Sequence, residues 1–261
     1  MTDTPFLLRE KDRGVVTLTL NRPQSRNSLS LGMLRALRAA LIEVAEDAEA
    51  RVAIIAGAGP AFCCGHDLKE LRASGYDPAY VKTLFAECAE VMQAIVRLPQ
   101  PVIARVHGVA TAAGAQLVAS ADMAFAAEGA CFATPGANIG LFCSTPMVAL
   151  SRNVAPKHAM QMLLSGDLID AATALSFGLI NEIAPVGELD RRTFDFALKL
   201  ASKSPLTLAL GKQAFYRQAE MKLAEAYEYA STVMAKNLQA EDAKEGIDAF
   251  LSRRPPVWRG R

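Results

Sequence analysis

Along the chain the apolar positions change period several times, and each change marks an element. Gly14-Val15-Val16-Thr17-Leu18-Thr19-Leu20 is β-branched and alternating, which predicts a strand that stops at Asn21-Arg22-Pro23, where proline cannot donate to a ladder. Leu31, Leu34, Leu37, Leu41 and Val44 then fall at helical spacing with Ser30 as N-cap, and they lead into a second strand at Val52-Ala53-Ile54-Ile55-Ala56. A small-residue loop over 61–68 follows, then a charged segment that reads as irregular as far as Tyr76. Beyond it the pattern predicts an amphipathic helix over 78–98, an apolar strand over 102–106, a second small-residue stretch over 108–114, a helix over 115–120 and a short strand over 123–126. From Pro156 onward helices dominate, near 171–177, 188–201, 205–219, 221–239 and 241–251, until Arg253-Arg254-Pro255-Pro256 ends them. A boundary at Ser204-Pro205 divides an α/β core, 1–204, from a helical region, 205–261.

Composition narrows the classes. At 261 residues the chain suits one large core with a helical appendage, and 28 basic against 27 acidic residues with 51% hydrophobic content argue against a nucleic-acid-coating surface or a disordered chain. Met1-Thr2-Asp3-Thr4-Pro5 has no basic stretch leading into an apolar run, so no secretory signal is expected, and no window has the apolar length of a membrane span. The expectation is a soluble, cytoplasmic protein with no membrane partner. Cys63, Cys64, Cys88, Cys131 and Cys143 lack metal-type spacing, and the vicinal pair is awkward to bridge, so free thiols in a reducing compartment are expected. The three histidines are scattered, and no metal site is expected.

For chemistry, Gly57-x-Gly59 follows a strand, but the third glycine of a dinucleotide loop would fall at Phe62. Phosphate-loop, nucleophile-elbow and metal-helix motifs do not occur. What remains is two small-residue loops, each after a strand, whose main-chain N–H groups have little side chain to block access. Two such loops can jointly bind one oxygen. The helix that begins near Ala113 adds the positive end of its dipole, which suits charge developing on a thioester oxygen as an enolate forms.

The order of Leu20-Asn21-Arg22-Pro23-x-x-x-Asn27-Ser28-Leu29, Phe62-Cys63-Cys64-Gly65-His66-Asp67-Leu68, Gly108-Val109-Ala110-x-x-Ala113-Gly114 and Ser120-Ala121-Asp122, closing on 245–255, resembles the enoyl-CoA hydratase/isomerase (crotonase) superfamily over nearly the whole chain. The resemblance implies a spiral of β-β-α turns with a C-terminal helical region that packs homotrimers, often paired into hexamers, around an acyl-CoA substrate with no separate cofactor. Carried over, the oxyanion donors are the N–H groups of His66 and Ala113, and Arg26, Cys64, Asp67, Leu68 and Cys143 line the substrate. Arg26, Arg253 and Arg254 are candidates for CoA phosphates, or else solvated surface charges. Asp67 and Asp122 match fold-supporting positions, and His107 and His158 read as structural.

The departures from the family pattern carry as much information. Gln116 and Gly136 stand where family hydratases carry their two glutamates. An amide does not titrate near neutrality and glycine has no side chain, so the two-carboxylate route to hydration is disfavoured. The expected function is an acyl-CoA enzyme of this family in fatty-acid or carboxylic-acid metabolism that stabilises a thioester enolate. The alternatives are a non-catalytic or regulatory acyl-CoA-binding protein, and an acyl-CoA decarboxylase or thioesterase. The His66 imidazole is a candidate replacement base, Cys143 a candidate nucleophile against a bland reading as a buried thiol, and Glu87 or Glu90 could enter from the segment over 73–88.

Overall fold

The computed structural model describes residues 4–261; Met1 to Asp3, part of the stretch read for a secretory signal, lie outside the described residues. A hairpin opens the fold: β1 (Leu7–Asp12) pairs antiparallel with β2 (Val15–Leu20) across a turn in which Arg13 and Gly14 both take positive φ. β2 buries Val15, Val16, Leu18 and Leu20, and its exit at Arg22-Pro23 matches the predicted stop. α1 (Leu31–Glu46) starts where expected, because the Ser30 hydroxyl accepts the Met33 N–H at 3.1 Å, and its buried residues keep three-and-four spacing.

The chain then makes three turns of one plan: a strand in a large sheet, a short strand in a second sheet, then helix. The first is β3 (Val52–Gly57), β4 (Ala61–Cys63), α2 (Leu68–Ala73) and α3 (Pro78–Arg97). The second is β5 (Val102–Val106), β6 (Val109–Thr111) and α4 (Ala113–Ser120). The third is β7 (Met123–Ala127), β8 (Cys131–Ala133), α5 (Ser144–Asn153) and α6 (Pro156–Ser165). After β9 (Ile169–Asp170), α7 (Ala171–Ser176) and β10 (Glu182–Ala184) come four helices, α8 (Leu189–Ala201), α9 (Pro205–Gln218), α10 (Leu223–Gln239) and α11 (Glu241–Leu251). The sheets run β1-β2-β3-β5-β7-β10 and β4-β6-β8-β9, with β2-β3-β5-β7-β10 and β4-β6-β8 parallel. This is the expected spiral of β-β-α turns. α4 is buried along its whole length, with α3 and α5 against it, and α8 covers the outer face of the large sheet through Val15, Val52, Ile54, Ile103 and Phe125.

Three expectations are corrected. The charged segment after Leu68 is the helix α2, nucleated by Asp67, whose carboxylate accepts the N–H of Lys69 and of Glu70. Both small-residue loops contain strands, β4 and β6, whose three residues are too few to display a period. β1 escapes the apolar pattern because five of its six residues are exposed. All five cysteines are free, as expected. Among the described residues no helix is long and apolar enough to cross a membrane, and no cluster of His, Cys, Asp or Glu could hold a metal ion.

Asp122 ties the C-terminal helices to the spiral. Its carboxylate accepts the Val102 N–H at 2.6 Å, the Tyr216 hydroxyl at 2.9 Å and the Lys212 ammonium at 2.7 Å. Lys212 is 6% exposed and also donates to the carbonyls of Ile95 and Gln100 at 2.9 and 3.0 Å. Removing one member of such a pair leaves a buried charge without its partner. Lys212→Met should therefore cost about 3–5 kcal/mol in urea denaturation, with part recovered in the Lys212→Met/Asp122→Asn double variant. A loss below about 1 kcal/mol would show the pair to behave like an exposed one.

Candidate active site

The site is built where two main-chain segments meet. Gly65 has φ +84°, and a Cβ there would stand 2.8 Å from the Ala112 methyl and 3.3 Å from the Ala113 nitrogen. Glycine is thus required twice over, by conformation and by space. Gly114 lies so close to the Cys63 carbonyl that a Cβ would overlap it, which seats the start of α4 directly on β4. Ala112 turns the chain into α4 at φ +51°, ψ −119°, a region glycine favours and one that costs an alanine about 1–3 kcal/mol. It is held by its N–H on Ala133 O at 2.9 Å and by its own carbonyl, which accepts the Gln116 N–H at 3.0 Å. The N–H groups of His66 and Ala113 meet no acceptor among the described residues, the second because it opens a helix.

The loop before α1 fastens this junction. Leu29 N–H donates to Gly65 O at 2.7 Å, Cys64 N–H to Arg26 O at 3.1 Å, and Ser28 Oγ to Asp67 Oδ2 at 3.2 Å. Asn27 is fully buried at φ +54° and its amide donates to the carbonyls of Ala58, Ala61 and Phe62, which explains why this loop carries an asparagine. Arg26, Cys64, His66, Asp67, Leu68 and Ala113 are thereby gathered around one junction, with Arg26 and Leu68 exposed and Cys64 partly so. The Asp67 carboxylate is occupied by its capping contacts and by Ser28.

Gln116 is 4% exposed, and its Oε1 lies 4.0 Å from the Cys88 thiol of α3. Gly136 sits in the turn before α5, and a side chain there would overlap the Leu141 carbonyl and come within 2.8 Å of Cys143 Sγ. Burial pushes the Cys143 thiol up, so it is protonated rather than nucleophilic. Neither Glu87 nor Glu90 of α3 is turned toward Gln116: Glu87 pairs with Arg38 of α1 at 3.1 Å, and Glu90 is exposed about half a turn from Cys88. Arg254 is bound to Glu245 of its own chain at 2.6 Å, while Arg253 is exposed. His107 bonds Gly59 O and His158 stacks on Phe177, both structural contacts. Two clefts lie elsewhere, one of about 340 Å³ lined by Asp122, Lys212 and Tyr216 and one of about 440 Å³ among Glu182, Arg191 and Asp195.

Two features of the site have no signature in the sequence: the positive φ of Ala112, and Phe85, whose ring stands edge-on to His66 at 5.0 Å between centroids. A phenylalanine at helical spacing looks like any core residue until the helix is docked.

Residues 10–261 match the model of the enoyl-CoA hydratase/isomerase family, and the chain belongs to that family. It is 46% identical over 255 residues to the mitochondrial enoyl-CoA hydratase domain-containing protein 3 of Xenopus laevis, covering 98% of this chain and 86% of that protein. Among solved structures it is similar to an enoyl-CoA hydratase of Mycobacterium smegmatis (51% identity, TM-score 0.94, 98% of this chain and 99% of that one). It is also similar to human enoyl-CoA hydratase domain-containing protein 3 (45% identity, TM-score 0.94, 98% and 100%). These relatives correct the cytoplasmic expectation, since the proteins of that name from frog, mouse and human are mitochondrial. Compartment is written in targeting segments, which composition and thiol usage do not report.

The packing around Gly136 yields a stability prediction. Gly136→Glu should not install a working carboxylate; it should destabilise the fold by about 1–3 kcal/mol as the 135–143 turn is forced apart. A variant with unchanged thermal midpoint and hydratase activity raised above wild type would contradict this.

Proposed function

We propose that the protein is an acyl-CoA enzyme in fatty-acid or carboxylic-acid metabolism that holds the thioester carbonyl between the N–H groups of His66 and Ala113 and stabilises the enolate formed from it. The observation that carries this reading is the junction at Gly65: two unengaged N–H groups brought together by interlocking main chain, one at the start of a buried helix. Donors fixed before the reaction need no reorganisation as charge develops, and one such donor is worth about 10²–10³-fold in rate. Arg26, exposed beside Cys64, is suited to the nucleotide phosphates.

With Gln116 and Gly136 at the family's carboxylate positions, hydration at the rate of a two-glutamate enzyme is not expected. The packing that leaves no room at Gly136 also supports a second reading, an acyl-CoA-binding protein without turnover. A chromophoric thioester such as cinnamoyl-CoA separates these possibilities from no binding at all, because its absorption moves to longer wavelength as the carbonyl is polarised. A red shift on binding is expected, and its absence with the site saturated would sink the oxyanion reading. Mass spectrometry of a panel of acyl-CoA esters after incubation then distinguishes an enzyme, decarboxylase and thioesterase included, from a binder that returns each ester unchanged. Gln116→Glu fits the existing side-chain shape and should raise hydration of crotonyl-CoA at least about tenfold, since a positioned acid or base contributes about 10²–10⁴-fold.

Apart from the Lys212 side chain held by Asp122, α9 and α10 pack little of their surface against the chain, and α9 to α11 expose Phe215, Leu223, Tyr227, Met234, Phe250 and Leu251. A second and third copy of this chain are the proposed cover, as a homotrimer or a dimer of trimers. Light scattering at micromolar concentration should give a multiple of three chains; a monomer would refute it.

A further inference from the structure

Among the described residues four buried side-chain polar atoms have no hydrogen-bond partner: His66 Nε2, the Tyr80 hydroxyl, Gln100 Oε1 and Thr134 Oγ1. Buried polar atoms nearly always find a partner in protein, water or ligand, so each orphan needs a reason. His66 differs from the other three in that its own main-chain N–H is one of the two unengaged donors at the Gly65 junction. A lone pair without a partner therefore sits on the same residue as a donor suited to the reacting carbonyl.

The state of the ring follows from its other nitrogen. Nδ1 lies 3.3 Å from the Leu29 carbonyl, which can only accept, so the proton is on Nδ1 and Nε2 is an acceptor. Burial holds the imidazole below its usual 6.5, against the opposing pull of the Leu29 carbonyl, so the ring is neutral at neutral pH. Phe85 covers it edge-on and is itself 37% exposed. It does so on the lightly packed side of the fold: no residue of α2 is buried, and the turn into α3 carries positive φ at Gly75 and Tyr76. A flank with so few buried contacts opens at low cost.

We propose that the His66 imidazole is the catalytic base of this site, with a 2-enoyl or 3-hydroxyacyl thioester as substrate and Phe85 as the side chain that swings to admit it. The inference rests on the reading of the His66 and Ala113 N–H groups as the thioester's donors. In the addition, Nε2 takes one proton from a water molecule as its oxygen bonds to C3 of the enoyl group. The C2–C3 π pair moves to C1–C2, and the carbonyl π pair moves onto the thioester oxygen between the two N–H groups. The enolate then collapses and C2 takes the proton back from Nε2, so one water is added and the ring is regenerated. Elimination of water from the 3-hydroxyacyl thioester is the same path reversed. His66 thus does by itself what two carboxylates share elsewhere in the family, and a lower rate follows from one group serving both positions.

The other ionisable groups around the ring are accounted for. The chain before α1 offers it only the Leu29 carbonyl, and α3 offers the Phe85 ring. On α2, Asp67 accepts from Ser28 and two main-chain N–H groups, and Glu70 accepts the Leu31 N–H at 3.1 Å. Tyr80, on α3, is pushed up to about 12 by burial and by Glu70, and stays protonated. An acid limb below pH 6.5 in the rate would therefore belong to His66.

His66→Ala gives a clean test because it removes the imidazole and keeps the N–H. With the full-length protein, hydration of crotonyl-CoA should fall about 10²-fold or more, the loss of a general base. The red shift of bound cinnamoyl-CoA should be retained. His66→Gln, closer in shape, should behave the same way. In the wild type the rate should be level through neutral pH and decline as pH falls below 6.5, the ring protonating; the residual rate of either variant should lack that limb. Turnover in the variants within about threefold of wild type, or an acid limb that persists in them, overturns the proposal. So does a wild type that polarises the thioester and returns crotonyl-CoA unchanged. A wild type that gives no red shift fails the thioester reading instead, and a His66-dependent turnover surviving that result would still support the base.

Discussion

Two stretches of main chain can reach the same oxygen atom only where side chains shrink to hydrogen or methyl, and the close contact of residues 63–66 with 111–114 imposes that condition here. Gly65 faces the Ala112 methyl and Gly114 faces the Cys63 carbonyl, so neither segment can carry a larger residue at the junction. Each stretch follows a short strand of the second sheet, β4 or β6, and those strands pair in parallel. The sheet pairing sets the segments side by side, and the small residues let them close. α4 then starts at the junction because Ala112 bends the chain into it, which leaves the Ala113 N–H outside the helical hydrogen-bond ladder.

The surroundings of the junction are arranged on two sides with opposite character. Toward α1 the contacts are numerous and polar: Asn27, Ser28 and Leu29 fasten the loop to β4, to the N-cap of α2 and to Gly65, and Ser30 caps α1. Toward α2 and the first half of α3 the packing is thin, with exposed Leu68 and Tyr76 and only the edge of Phe85 over His66. A rigid seat for a carbonyl next to a lightly packed cover is the combination a site needs if it is to admit an acyl chain and exclude water afterwards. At Gly136 the Leu141 carbonyl and the Cys143 sulfur fill the space that a side chain would need.

The fold transmits the two N–H donors through main chain, which tolerates substitution, and the acid–base groups through side chains, which do not. A main-chain donor survives exchange of glycine for alanine, whereas a glutamine such as Gln116 cannot act as a titratable group. A protein can therefore keep a high overall likeness to enoyl-CoA hydratases and still have to find its proton acceptor in another residue.

The periodic elements and the small-residue segments that meet at Gly65 were legible in the sequence. Helical spacing with an N-cap at Ser30, the proline stop after Leu20 and the small residues around Gly65 and Ala113 act through local backbone preferences, which operate within a few residues of chain. Local signals could not reveal β4, β6 and β8, because three-residue strands have no period to read and exist through pairing with strands about 50 and 20 residues away in sequence. Nor could they show that Asp122 holds Lys212, that Glu87 turns to Arg38, or that Phe85 rests on His66, since each depends on how α1, α3 and α9 dock. The sequence thus determined where two small-residue segments leave main-chain N–H groups unobstructed. Only the tertiary structure decided which side chains stand around that junction, because burial, desolvation and hydrogen bonding are set by neighbours distant in the chain.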